Sequence, residues 1–210
     1  MAAAYTPGGL TSAPMNTARL EAFTDGVVAI IITIMVLEIR VPRGANLEAL
    51  RGDVPVLLAY VLSYVNVGIF WNNHHHMLHV TERVNGRVLW ANLALLFWLS
   101  LIPFVIRWID EAGFMPAPVA AYGVVLACAA VCYILLQVQL IAANGRESRL
   151  AVALGKDLKG KLSLALYLAA IVLAFVRPWL AIALYVTVAV IWLVPDTRIE
   201  SLAGRKSIPP

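Results

Sequence analysis

Six long apolar blocks, separated by short polar, Pro-marked or Gly-marked breaks, constrain this chain more than any other feature. They cover residues 20–39, 54–77, 88–106, 119–143, 162–176 and 178–194. A bilayer's hydrocarbon core is roughly 30 Å thick and takes about 20 residues of helix to cross. Within it, backbone polar groups must bond inside the segment, which a helix achieves. Apolar residues make up 61% of the chain and charged residues 13%, against roughly half and a quarter in a soluble domain. That balance excludes a water-soluble fold. The expected class is an all-α integral membrane protein with six transmembrane helices per subunit. A tail over 1–18 lacks the basic and apolar regions of a cleavable signal. The six-helix domain then covers 19–195, and a second tail 196–210. The last two blocks are joined only by Arg177 and Pro178; either a tight hairpin or one helix kinked at the proline fits.

Lys and Arg concentrate on the cytoplasmic side of membrane proteins. With the N-terminus inside, Arg40, Arg43, Arg51, Arg107 and Arg177 fall outside and the other 11 of the 16 basic residues fall inside. Both termini are therefore expected in the cytoplasm. The net charge of +4 reads as an orientation signal, and no nucleic-acid partner is needed to explain it. Cys128 and Cys132 stand four apart in one apolar block, too few for a disulfide framework or a zinc site, so a packing role is expected. No second copy of the first block's pattern follows.

The first block carries Arg19, Glu21, Asp25 and Glu38, although each ionisable group at mid-bilayer costs roughly 2.5–3.5 kcal/mol on insertion scales. A helix so charged is not expected to face lipid all round. Arg19, Phe23, Gly26, Ile30, Thr33 and Leu37 are spaced 4, 3, 4, 3 and 4, which keeps them on one stripe. Asp25 lies about 140° round from Ile30 at 3.6 residues per turn, so stripe and carboxylate meet different neighbours. Around an axis, Ile30, Thr33 and Leu37 would give apolar rings with one hydroxyl ring between them. The same spacing also describes ordinary helix packing, and periodicity does not separate the two.

Arg19-Leu20-Glu21-Ala22-Phe23-Thr24-Asp25-Gly26 resembles the Arg-x-x-x-Phe-Ser-Asp signature that opens the first helix of the transmembrane protein 175 family of potassium channels, and the chain is similar to its prokaryotic members. Thr24 stands where the family has Ser, keeping the hydroxyl and adding a methyl. The resemblance implies a homotetramer in the cell membrane with the first helix lining the central pore. It implies potassium selectivity, leaky to other monovalent cations, without a Thr-Val-Gly-Tyr-Gly pore loop, and with Ile30 and Leu37 as constriction and Thr33 between them. No cofactor is expected beyond the permeant potassium. The partners expected are further copies of the chain, membrane lipid and permeant monovalent cations, and no enzymatic activity is expected.

All four histidines fall within Trp71-Asn72-Asn73-His74-His75-His76-Met77-Leu78-His79. A metal site, a proton relay or pH sensor, and a structural hydrogen-bond network compete to explain them. His75 and His79 have helical ligand spacing, but His-Glu-x-x-His is absent and no carboxylate or Cys is near in sequence. With the first helix entering from the cytoplasm, Arg19, Thr24 and Asp25 should lie level with Trp71, Asn73, His74, His75, Trp90 and Asn92. A buried carboxylate and hydroxyl need partners, and these side chains supply donors. They are expected to fix the rotation that aims Ile30 at the axis. Imidazoles also titrate near neutral pH, so the cluster admits a pH-sensitive channel. A proton-coupled transporter using Asp25 and the cluster from His74 to His76 is the main alternative, and a membrane metalloenzyme built on the histidines is a further one.

Overall fold

The structure, a computed structural model, describes residues 17–42, 44, 46–154 and 157–193. The expected tails lie outside the described residues apart from Thr17 and Ala18, as do Val194, Arg43, Lys156, Arg198, Arg205 and Lys206. Eight α-helices form among the described residues: α1 Thr17–Leu37, α2 Val54–His79, α3 Gly86–Ser100, α4 Ile102–Ala112, α5 Pro116–Asn144, α6 Arg149–Leu154, α7 Leu158–Ala174 and α8 Pro178–Leu193. No β-strand occurs among the described residues.

Local chemistry sets their ends. Prolines stand in the first turns of α2, α4 and α5 and open α8, where a missing N–H costs nothing and φ is already helical. Asn85 Oδ1 accepts from Val88 N at 3.1 Å and caps α3, as Asp157 Oδ1 caps α7 by accepting from Gly160 N at 3.1 Å. Gly113, at φ 69°, ends α4 in the left-handed conformation.

The third apolar block is longer than 88–106 and broken. It runs over Gly86–Ala112, with α3 and α4 meeting at Leu101. Pro103 supplies the reason: it has no N–H, and its ring displaces the carbonyl four residues earlier. Counting α3 and α4 as one, four helical segments among the described residues are long and apolar enough to cross a membrane, the others being α1, α2 and α5. The last two blocks are a hairpin, since α7 and α8 are separate helices of 17 and 16 residues that pack along each other.

α5 is the central post, packed on α3, α4, α7 and α8, while α1 lies on α2, α3 and α4. Gly123 makes the α5 contact with α7 and α8 possible, because a Cβ there would collide with the Tyr185 hydroxyl and come within 2.8 Å of Ile171 Cγ1. At the opposite end Asn144 holds the α2–α3 loop, accepting from Arg83 N at 2.8 Å and donating to Arg83 O at 3.0 Å. Cys128 and Cys132 are unpaired, the latter buried in the core.

Candidate functional site on the first helix

α1 has two faces. Leu20, Thr24, Val28, Ile31 and Met35 are buried, a 4, 4, 3, 4 spacing that turns one face into the subunit. Arg19, Phe23, Gly26, Ile30, Thr33 and Leu37 all lie on exposed positions, with Ile30 60% and Leu37 76% exposed. Thr33 donates its hydroxyl proton to Ala29 O at 2.8 Å. The oxygen lone pairs therefore remain to face outward.

The opposite face is held by polar contacts at its N-terminal end. Thr24 Oγ1 accepts from Asn92 Nδ2 at 3.0 Å, and Asn92 Oδ1 meets His74 Nε2 at 2.8 Å. All three side chains are buried, so this relay ties α1, α3 and α2 together where no water competes. One residue on, Asp25 is exposed and not buried as expected, because it stands only about 100° round the helix from Thr24, and its Oδ1 accepts from Trp71 Nε1 at 2.7 Å. One turn back, Glu21 Oε1 lies 2.7 Å from His75 Nδ1, and the His75 ring is stacked on Trp71 and on His79. α1 and α2 run antiparallel here, with 21 opposite 75 and 25 opposite 71.

Two residues read from the sequence as network members stand apart. Asn73 donates to its own helix at Ile69 O, 2.8 Å away, and Trp90 is 75% exposed. Helical rotation accounts for both: Trp90 precedes Asn92 by two residues, about 200° round the helix, and Asn73 is about 100° from His74. Arg19 and Phe23 border a cleft of about 520 Å³ that Asn92 and Val84 also line. Among the described residues no three His, Cys, Asp or Glu side chains converge as a metal-binding group.

Residues outside the sequence-derived set also join the site. Glu21 was visible one turn before Asp25, yet its pairing depended on the register between two helices. At the other end of α1, Glu38 Oε2 receives Arg107 Nη1 at 2.8 Å, and Arg107 Nε reaches Glu111 Oε1 at 3.1 Å. Arg40 adds contacts to Asp110 at 3.1 Å and to Glu111 at 3.5 Å. This ion-pair set fastens the C-terminal end of α1 to α4. It borders a cavity of about 770 Å³ between those helices, lined by Ile30, Ile34, Phe104 and Trp108 among others.

Among the described residues, four helical segments long and apolar enough to cross a membrane, one of them bonded inward along one face and uncovered along the other, define the class as a membrane protein. Comparison with known proteins specifies it. The family model for the endosomal/lysosomal potassium channel TMEM175 matches residues 19–103, which include the polar contacts at the N-terminal end of α1 and leave out Arg107, Asp110 and Glu111. A potassium channel of Chryseobacterium sp. (strain P1-3) is 48% identical over 186 residues, 89% of this chain and 97% of the relative. A potassium channel of Chamaesiphon minutus is 31% identical over 189 residues, covering 83% and 92%. The human endosomal/lysosomal proton channel TMEM175 is 36% identical over 97 residues, 40% of this chain and 19% of the human protein. The crystal structure of a lysosomal potassium-selective channel TMEM175 homolog from Chamaesiphon minutus matches with a TM-score of 0.75 at 27% identity, over 86% of this chain and 97% of that one. The chain belongs to the TMEM175 family.

Proposed function

We propose that four copies of this chain surround an axis lined by their α1 helices and let potassium pass down its electrochemical gradient. One observation carries this reading: α1 is fixed in rotation by bonds from Glu21, Thr24 and Asp25, while Phe23, Gly26, Ile30, Thr33 and Leu37 are left uncovered. A helix that only faced lipid would gain little from a fixed rotation. Ile30 and Leu37 form two apolar rings about 10 Å apart along the axis, and Thr33 places a hydroxyl oxygen between them. Such a constriction selects by the cost of stripping water from the ion. The relatives named potassium channels support potassium as that ion.

In this reading six crossings place both termini in the cytoplasm of a prokaryotic cell, with α3 and α4 acting as one span. α7 and α8 reach only about 25 Å each and cross with help from flanking residues or local thinning. The surroundings are membrane lipid, and the permeant ion takes the place of a cofactor. The reaction is passive transport with no covalent step.

Proton permeation is the second reading, favoured by the carboxylates and His75 gathered at one end of α1 and by the proton-channel names of the vertebrate relatives. A proton-coupled transporter using Asp25 and the His74 to His76 cluster predicts flux in fixed ratio to protons instead. Reversal potentials of the purified protein in a planar bilayer distinguish these. Under opposed potassium and sodium gradients at equal pH, the expected reversal shifts toward the potassium equilibrium potential and moves little when a pH step is added. A reversal that follows the pH gradient supports the proton reading, and absence of protein-dependent current contradicts the channel.

A further inference from the structure

The seam between α2 and the far side of the bundle holds a cavity of about 40 Å³ bordered by Asn66 and Asn73 of α2, Tyr133 of α5, Ser163 and Tyr167 of α7 and Trp192 of α8. Trp192 Nε1 donates to Ser163 Oγ at 2.7 Å, and Ser163 donates to Lys159 O at 2.8 Å, so that pair is satisfied. Tyr167 is not. It is 3% exposed, and its hydroxyl has no hydrogen-bond partner among the described residues. Asn66 gives its Nδ2 to Leu62 O at 3.0 Å and to the Tyr122 hydroxyl at 3.3 Å, and Asn73 gives its Nδ2 to Ile69 O. Neither amide oxygen receives a donor from the described residues. Three residues that line one space thus hold a hydroxyl and two amide oxygens with hydrogen-bonding capacity that the described residues leave unused, and none of these oxygens is sealed from water, Asp110 Oδ2 being the one side-chain oxygen among the described residues that is both sealed and without a hydrogen bond; groups placed so are satisfied by water.

Three occupants compete. A metal or alkali cation would find oxygens but no carboxylate, since the lining is uncharged, and an ion without a countercharge in a membrane interior is expensive. The Lys159 ammonium, 5.9 Å over the Trp192 ring, and the Asp157 carboxylate, which accepts from Gly160 N, both stand near the lining without belonging to it. A hydrocarbon chain satisfies none of the polar groups, and an apolar groove of about 460 Å³ lies on the same seam, lined by Leu58, Leu62, Val186 and Val190 among others. Water fits on both counts. It needs about 10–15 Å³ and two to four polar partners, and its oxygen and protons serve a hydroxyl and amide carbonyls together.

We infer that this cavity is a resident hydration site, in which one to about three water molecules bridge Asn66 and Asn73 of α2 to Tyr167 of α7. α2, which carries Trp71, His74 and His75, is then joined to the outer helices there through exchangeable water.

Hydroxyl-radical footprinting by X-ray pulse, on the full chain in phospholipid nanodiscs, tests this, because radicals formed from bound water label the side chain beside them even when bulk water is excluded. Tyr185 is the internal control: 1% exposed, bordering the apolar groove and with its hydroxyl donating to Val119 O at 3.0 Å. Tyr167 should label at least about tenfold faster than Tyr185, although both are shielded from bulk. Asn66→Leu, which fills the cavity with hydrocarbon, should bring Tyr167 down to the Tyr185 rate. Tyr167 as silent as Tyr185 in the wild type overturns the inference, as does undiminished labelling in Asn66→Leu. The wild-type ratio decides the matter alone if that variant does not fold.

Discussion

Trp71 of α2 donates its indole proton to Asp25 of α1 at 2.7 Å, and one turn away His75 and Glu21 are also 2.7 Å apart. These two rungs join antiparallel helices, and in the proposed reading they set how α1 is rotated. At about 100° per residue, a slip of one position would replace Ile30 on the uncovered stripe by Ala29 or Ile31.

The first rung should show as coupling. Asp25→Asn and Trp71→Phe, each alone and combined, should cost less together than separately by about 0.5–2 kcal/mol, the range for interhelical bonds in membranes and bonds to charged groups. Unfolding by SDS titration in mixed micelles measures it. Strict additivity would mean the bond contributes nothing.

Thr24 separates the role of the hydroxyl from that of the methyl. Thr24→Ser keeps the acceptor for Asn92 Nδ2 and should stay within about 1 kcal/mol of wild type. Thr24→Val leaves a buried amide proton unpaired and should lose about 1–3 kcal/mol in the same assay.

At the other end of α1, three carboxylates face two guanidiniums, with Arg107 bonded to both Glu38 and Glu111. If this end borders the proposed pore, Arg107→Gln leaves it more negative and should raise single-channel cation conductance at low ionic strength. The gain should disappear at 1 M salt, where the screening length is about 3 Å. A conductance indifferent to the substitution at low salt would place the ion pairs away from the pathway.

Gly123 tests the packing of the outer helices. Gly123→Ala would press a methyl against the Tyr185 hydroxyl, which is held by its bond to Val119 O. A loss of about 1–3 kcal/mol is expected, read as a lower thermal midpoint. Gly123→Ala combined with Tyr185→Phe should recover part of it.

Which residues meet was only partly legible in the sequence. Apolar blocks locate helices because the bilayer demands long ones, and the 4, 3, 4, 3, 4 spacing of the α1 stripe survives because helical periodicity is local. Partner choice depends on rotation and register between helices, which no single segment encodes. Asn92 and His74 meet Thr24, whereas Trp90 and Asn73, at the same depth, face elsewhere. The break at Leu101 was signalled by Pro103, although the apolar run continues through it. The pairing of Glu21 with His75 required knowing the antiparallel register of α1 and α2.

The central claim is that the uncovered stripe of α1 lines an ion pathway. In a Cys128→Ala, Cys132→Ala background, single cysteines at Ile30, Thr33 and Ile31 should be exposed to a charged thiol reagent while current is recorded in a planar bilayer. The account predicts rapid block at Ile30→Cys and Thr33→Cys and no effect at Ile31→Cys, whose native side chain is 3% exposed. Block at 31, or insensitivity at both 30 and 33, would contradict it.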